Sequence, residues 1–308
     1  MRHRDTKTHG HWFRRLFLFA CTSLCLAALA FGQNPSSPLD QRVRREISAS
    51  KGKVALFARN LDTGQEYSFN GDERVRTAST IKIAVMIEAF ARVAESRAQW
   101  TDRLELTKAA RYSGSGVLQE MADGLRPTLR DCVNLMMTVS DNTATNMVLD
   151  VLTTDAVNAR MDALGFKETR IMRKIGGGGD SKDGKDPANQ RFGIGVATPH
   201  EMVRIMEKLD RGEIVSAAAS KEMIELMKRE QARFAIGRDM ADVPMASKYG
   251  ALDRLRSSIA ILYSKQGKIA MAITVDDAPE INWSVDNTAY LLISRLSEIL
   301  AEGLANPF

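Results

Sequence analysis

Segments with strand character lie at the two ends of this chain, with a long helical stretch between them. Residues 53–59 form a strand candidate with an apolar middle and residues 66–69 return across the turn Asp62-Thr63-Gly64, forming a hairpin. Near the other end, residues 257–264 and 268–275 flank a turn at Gln266-Gly267. From 80 to 210 the apolar spacing is mainly helical. A lone hairpin is marginal in water, so hairpins this far apart in sequence are best stabilised by joining one sheet. The expected fold is α/β in the α+β sense. One antiparallel sheet is built from both ends, flanked by terminal helices over 39–49 and 283–304, with an inserted all-helical domain.

The first thirty residues differ from the rest. Arg2, Arg4, Lys7, Arg14 and Arg15 precede an apolar run from Leu16 to Phe31, with Ala28-Leu29-Ala30 near its end. That is the pattern of a secretory signal peptide over 1–30, and the run is short for a membrane span. Arg14-Arg15 also fits a twin-arginine export signal. Export to the periplasm or outside the cell is expected, with no stable membrane anchor once the leader is cut. The leader holds four of the five net positive charges, which leaves about +1 for the remainder and no basis for nucleic-acid binding.

The same cut removes His3, His9, His11, Cys21 and Cys25, leaving His200 and Cys132 as the remaining members of their types. One His and one Cys do not make a structural zinc site, and no cofactor or metal is implied. Cys132, in an apolar run, reads as a buried small residue. His200 follows Thr198-Pro199 and precedes Glu201, the signature of a helix start. A serine hydrolase built on this chain therefore needs lysine as its base.

Ser79-Thr80-Ile81-Lys82 supplies that pair, opening an apolar helical stretch over 81–93. Side chains at i and i+3 share a helix face, and burial lets a lysine amine accept a proton from a serine. The bland alternative is a helix cap followed by a surface lysine. Ser140-Asp141-Asn142 comes 61 residues after Ser79, and Lys248-Tyr249-Gly250 comes 108 residues after Ser140. In order and spacing the three motifs resemble those of class A serine β-lactamases and penicillin-binding enzymes. The stretches Ser140 to Asn146, Leu164-Gly165 through Thr169-Arg170, Ala197-Thr198-Pro199 and Arg256 to Ile261 extend the resemblance across residues 39–304.

The resemblance implies a five-stranded antiparallel sheet, its sheet part at 39–75 and 216–304, and a helical part at 76–215, with the site between them. It implies a monomer acting on a small β-lactam or a peptidoglycan-like peptide through an acyl-enzyme. Ser79 would attack the carbonyl, Lys82 would take its proton, and Ser140 would pass a proton to the leaving nitrogen. Asn142 would hold the substrate amide. Lys248 and Arg256 would attract the substrate carboxylate. The backbone N–H groups of Ser79 and Ala251, after Gly250, would form the oxyanion hole. Asp141 reads as a buried helix cap.

Two positions depart from the pattern. Class A enzymes carry a water-activating glutamate on the loop after the Thr-Arg segment, where this chain has Lys174 or Ile175 before Gly176 to Gly179. Glu168 lies on the wrong side, and Asp180, Asp183 and Asp186 substitute only if the loop folds inward. Acylation through Lys82 with slow deacylation is the expected result. Tyr249 stands where a small hydroxyl is usual and changes the carboxylate end of the site. Three readings follow: a β-lactamase, a penicillin-binding or peptidase-like relative that turns β-lactams over poorly, and a non-enzymatic envelope binding protein.

Overall fold

The computed structural model describes residues 37–305, so the expected signal peptide lies outside the described residues. The chain runs α1 (Pro38–Ser48), β1 (Lys53–Asn60), β2 (Glu66–Phe69), β3 (Val75–Arg76), α2 (Lys82–Ala94), α3 (Leu129–Thr138), α4 (Asn142–Leu152) and α5 (Thr154–Ala163). It continues with β4 (Arg170–Ile171), α6 (Lys182–Lys185), β5 (Gly195–Ala197), α7 (Pro199–Asp210), α8 (Ala217–Met227), β6 (Met245–Leu252), β7 (Leu255–Ser264), β8 (Gly267–Asp276) and α9 (Thr288–Gly303). Five strands form one antiparallel sheet in the order β2-β1-β8-β7-β6, so the N-terminal hairpin pairs with the C-terminal strands as expected.

The central strands have both faces covered, which accounts for their near-continuous apolar sequences. Side chains alternate across a strand. Ile259 and Ile261 of β7 and Ala270 and Ala272 of β8 join a core with α2, α3, α4 and α7. Ala260 and Leu262, with Met271 and Ile273, join a second core with α1 and α9. α2 is mainly apolar and is buried from Lys82 to Ala91, its one acid, Glu88, paired with Arg92 and Arg160, as befits a helix at the centre of a domain. α7 packs against β1 and β8. The insertion is mainly helical and adds a small sheet, β3-β5-β4, two or three residues per strand.

Local chemistry sets the boundaries. Thr128 starts α3 with a reciprocal capping box to Asp131, and Thr198 with Pro199 starts α7. The helix expected over 283–304 begins later, because Asn287 caps it by accepting from Ala289 N–H; Trp283 and Val285 before the cap are exposed. The helical run over 128–152 is two helices, broken where Ser140 takes a left-handed φ of 56°.

Candidate active site

Ser79 sits in a single 3-10 turn, Ala78–Ile81, that leads directly into α2. The Lys82 backbone N–H donates to Ser79 O, so the turn and the helix are continuous. Lys82 is fully buried. Its Nζ donates to Ser140 O at 2.7 Å, to Ser140 Oγ at 3.1 Å and to Asn142 Oδ1 at 3.0 Å. The surface-lysine alternative is thereby overturned. Burial, with the charge of Lys248 nearby, holds the Lys82 amine well below the usual lysine range. An amine so placed accepts a proton where a surface lysine does not.

The break between α3 and α4 presents Ser140 and Asn142 to that amine. Ser140 is a buried non-glycine residue in left-handed backbone, a sparsely populated conformation found at functional sites. Asp141 holds it there. One carboxylate oxygen accepts from Ala144 N–H at 2.8 Å and caps α4; the other accepts from Val117 and Leu118 N–H at 2.6 and 2.9 Å. Asp141 is thus the buried cap expected from its sequence. Asn142 also donates from Nδ2 to Ser113 O at 3.0 Å, fixing which amide atom faces Lys82.

The third wall is β6, the outer strand of the sheet. A Cβ at Gly250 would lie 2.7 Å from Ser79 N and 2.7 Å from Thr77 O, so only glycine lets the strand approach the serine turn this closely. Ala251 continues along the same edge. The fold therefore brings Ser79, Lys82, Ser140, Asn142, Lys248, Gly250 and Ala251 together.

Two cations differ from expectation. Lys248 is fully buried and donates to Glu230 Oε1 at 2.5 Å, with the Tyr249 ring 4.4 Å from its Nζ. Glu230 also accepts from Ser247 Oγ at 2.8 Å and from Tyr249 N–H at 3.0 Å. An ammonium taken fully out of water requires such a partner. Arg256 does not offer its donors to the cleft, and its expected role is corrected. Its side chain shares the α9 face of β7 with Ala260 and Leu262. It donates to the carbonyls of Leu252, Leu255 and Asn282, and its guanidinium stacks over Trp283 and Tyr290.

Sequence reasoning missed Glu230. It is a lone acid after α8, eighteen residues from Lys248, and nothing local marks it. It also missed Asn146, whose side chain accepts from Ile175 N–H at 3.0 Å and donates to Ile175 O at 3.1 Å. Ile175 is therefore the loop residue held beside the α4 wall of the site. Asp183 accepts from Asn158, Asp186 caps the turn at Ala188, and Glu168 pairs with Arg74. Asp180 is exposed in a groove with Asp150 and Thr154. Asp150 lies about 12 Å along α4 from Asn142 at 1.5 Å per residue. The four glycines before Asp180 all take positive φ, and Gly176 lies against the Tyr112 ring. His200 stacks on Phe57 at 4.3 Å and pairs with Asp72, at the start of α7. Cys132 is buried, its thiol pushed up to about 12 by burial.

A buried lysine one helical turn after Ser79 and hydrogen-bonded to Ser140 and Asn142, on a sheet with an inserted helical layer, defines a serine acyl-transfer enzyme of the β-lactamase and penicillin-binding type. The chain belongs to the beta-lactamase enzyme family, whose sequence model matches residues 38–304. It is 26% identical over 246 residues to beta-lactamase AER-1 of Aeromonas hydrophila, covering 75% of this chain and 76% of that protein. It is 27% identical over 271 residues to beta-lactamase CARB-3 of Pseudomonas aeruginosa, covering 82% and 86%. Among solved structures, a beta-lactamase from Sphaerobacter thermophilus superposes with a TM-score of 0.76 at 28% identity, covering 87% of this chain and 98% of that one. PBP-A shares the fold with a TM-score of 0.76 at 22% identity, covering 87% and 96%.

Proposed function

We propose that this protein opens β-lactam rings through an acyl-enzyme on Ser79 and releases the acyl group slowly. The observation that carries the reading is the buried Lys82 amine, held at 2.7–3.1 Å by Ser140 and Asn142 one helical turn after Ser79. Lys82 takes the Ser79 proton as Oγ attacks the lactam carbonyl. The Ser79 and Ala251 N–H groups receive the oxyanion, and Ser140 passes the proton to the ring nitrogen as the C–N bond breaks. Slow release follows from Ile175, an alkyl side chain, at the loop position that Asn146 clamps. An alkyl group activates no water. The same observation favours a second reading, a penicillin-binding or peptidase-like enzyme for which β-lactams are slow substrates. The leader supports export to the periplasm or beyond, and we take the mature chain as a class A-like monomer.

Intact-protein mass after mixing with a penicillin tests both halves at once. A stoichiometric adduct on wild type that is absent from Ser79→Ala, and that decays slowly, is expected. No adduct from either the penicillin or its methyl ester would overturn acyl transfer, and many turnovers per minute would overturn slow release. Sequencing the mature N-terminus from a periplasmic fraction tests export.

A further inference from the structure

Of the two cations expected to read a substrate carboxylate, Lys248 is paired within the protein and Arg256 is turned to the α9 face of the sheet. Lys248 spends its charge on Glu230 at 2.5 Å, with both side chains out of water. Arg256 spends its terminal donors on three backbone carbonyls and lies beneath Trp283 and Tyr290. Between these two cations stands an aromatic row. Tyr249 packs edge-on against Phe234 at 5.1 Å, and Phe234 against Tyr290 at 4.6 Å. The Tyr249 hydroxyl lies on the side of Ser115, on the loop whose carbonyls accept from Asn142 on the far side of the site. A phenol thus fills the end of the cleft where a carboxylate would need a cation and a small hydroxyl. Arg233, beside Phe234, is exposed, where water and salt screen its charge.

An anion brought to this end would lose hydration without gaining a free cation that faces the cleft, and it would face the Glu230 carboxylate behind Lys248. We infer that the site takes acyl donors that are uncharged at the position where penicillins and cephalosporins carry a carboxylate. The inference rests on the acyl-transfer reading above and names its substrate class. The covalent step is unchanged. The Ser79 Oγ–acyl bond forms, the lactam C–N bond breaks, and the ring nitrogen takes the proton that leaves Ser79.

The test compares acylation rates of wild type with a chromogenic cephalosporin as free acid and as its methyl ester, which differ only at the carboxylate. The ester is expected to acylate Ser79 at least as fast as the acid, with little change from 50 to 500 mM salt. An acid favoured more than tenfold overturns the inference and leaves acyl transfer standing. No adduct from either overturns the acyl-transfer reading and this inference with it. The variant Glu230→Gln with Tyr249→Thr is expected to move the acid-to-ester ratio at least tenfold toward the acid, because it frees Lys248 and opens the cleft. A folded double variant with an unmoved ratio overturns the assignment to these residues, since a merely structural role alters both rates together.

Discussion

The two sides of the cleft are built to different standards. On the Lys82 side a single amine is held by three oxygens, one of them the Ser140 hydroxyl, and the segments that carry them are pinned in turn by Asp141, Ser113 and Ser115. On the loop side, after β4, one side-chain amide clamps Ile175 and four left-handed glycines follow. The first arrangement fixes the Lys82 amine one helical turn after Ser79. The second positions backbone but presents an alkyl side chain, Ile175, at the clamped place. The contrast separates making the acyl-enzyme from breaking it, and it can be attacked from either side.

The largest effect belongs to the nucleophile. Ser79→Ala should abolish the covalent adduct outright; an adduct retained at the same mass would place the chemistry on another residue. Next comes the base. Lys82→Ala should slow acylation by about 10²–10⁴-fold, the usual contribution of a positioned general base. The residual rate should lose its rise with pH. In wild type the neutral amine is the active form, so acylation climbs as pH passes upward through a Lys82 pKa lying below 10.5 and then levels. A profile flat from pH 5 to 10 in wild type would remove Lys82 from the role. The third effect attacks the other side. Ile175→Glu places a carboxylate on backbone that Asn146 already holds, and should shorten the acyl-enzyme lifetime by about 10-fold or more. An unchanged lifetime by mass spectrometry would mean that the loop, and not only the missing carboxylate, limits release.

The same contrast governs what could be read from sequence. β2 begins and ends where its alternation says, and β1, β7 and β8 differ from expectation by a few terminal residues, because local pattern and burial agree there. The Ser79-to-Lys82 relation was legible because i and i+3 are neighbours in any helix. The helix break at Ser140 was not, since nothing in Ser-Asp-Asn announces a φ of 56°; it exists because Asp141 is caught by Val117 and Leu118 from a distant loop. Arg256 was given the wrong task, because free donors and donors committed to backbone carbonyls look alike in one dimension. Glu230 is the clearest case. A carboxylate after a helix is ordinarily solvated, and only the packing of β6 over it makes it the counter-charge of Lys248.

The smallest effect is thermodynamic and tests whether Lys82 is held neutral by the fold. Its folded pKa is lowered by burial first and by Lys248 second, while the unfolded amine titrates near the ordinary 10.5. Between those two values the unfolded chain binds one more proton than the folded chain, so raising pH through that window stabilises the folded state. The slope is at most about 1.4 kcal/mol per pH unit. Below the folded pKa both states are protonated and the contribution is flat. Lys82→Met loses three hydrogen bonds along with the titrating group, so neither melting temperature is informative alone. Their difference isolates the proton. Wild type should gain on Lys82→Met as pH rises from 6 toward 10, by about 2–4 °C for each kcal/mol in a chain of this size. A difference that stays constant across that range would mean the amine keeps its proton in the folded protein. The ordering of the Lys82 side would then serve binding rather than proton transfer.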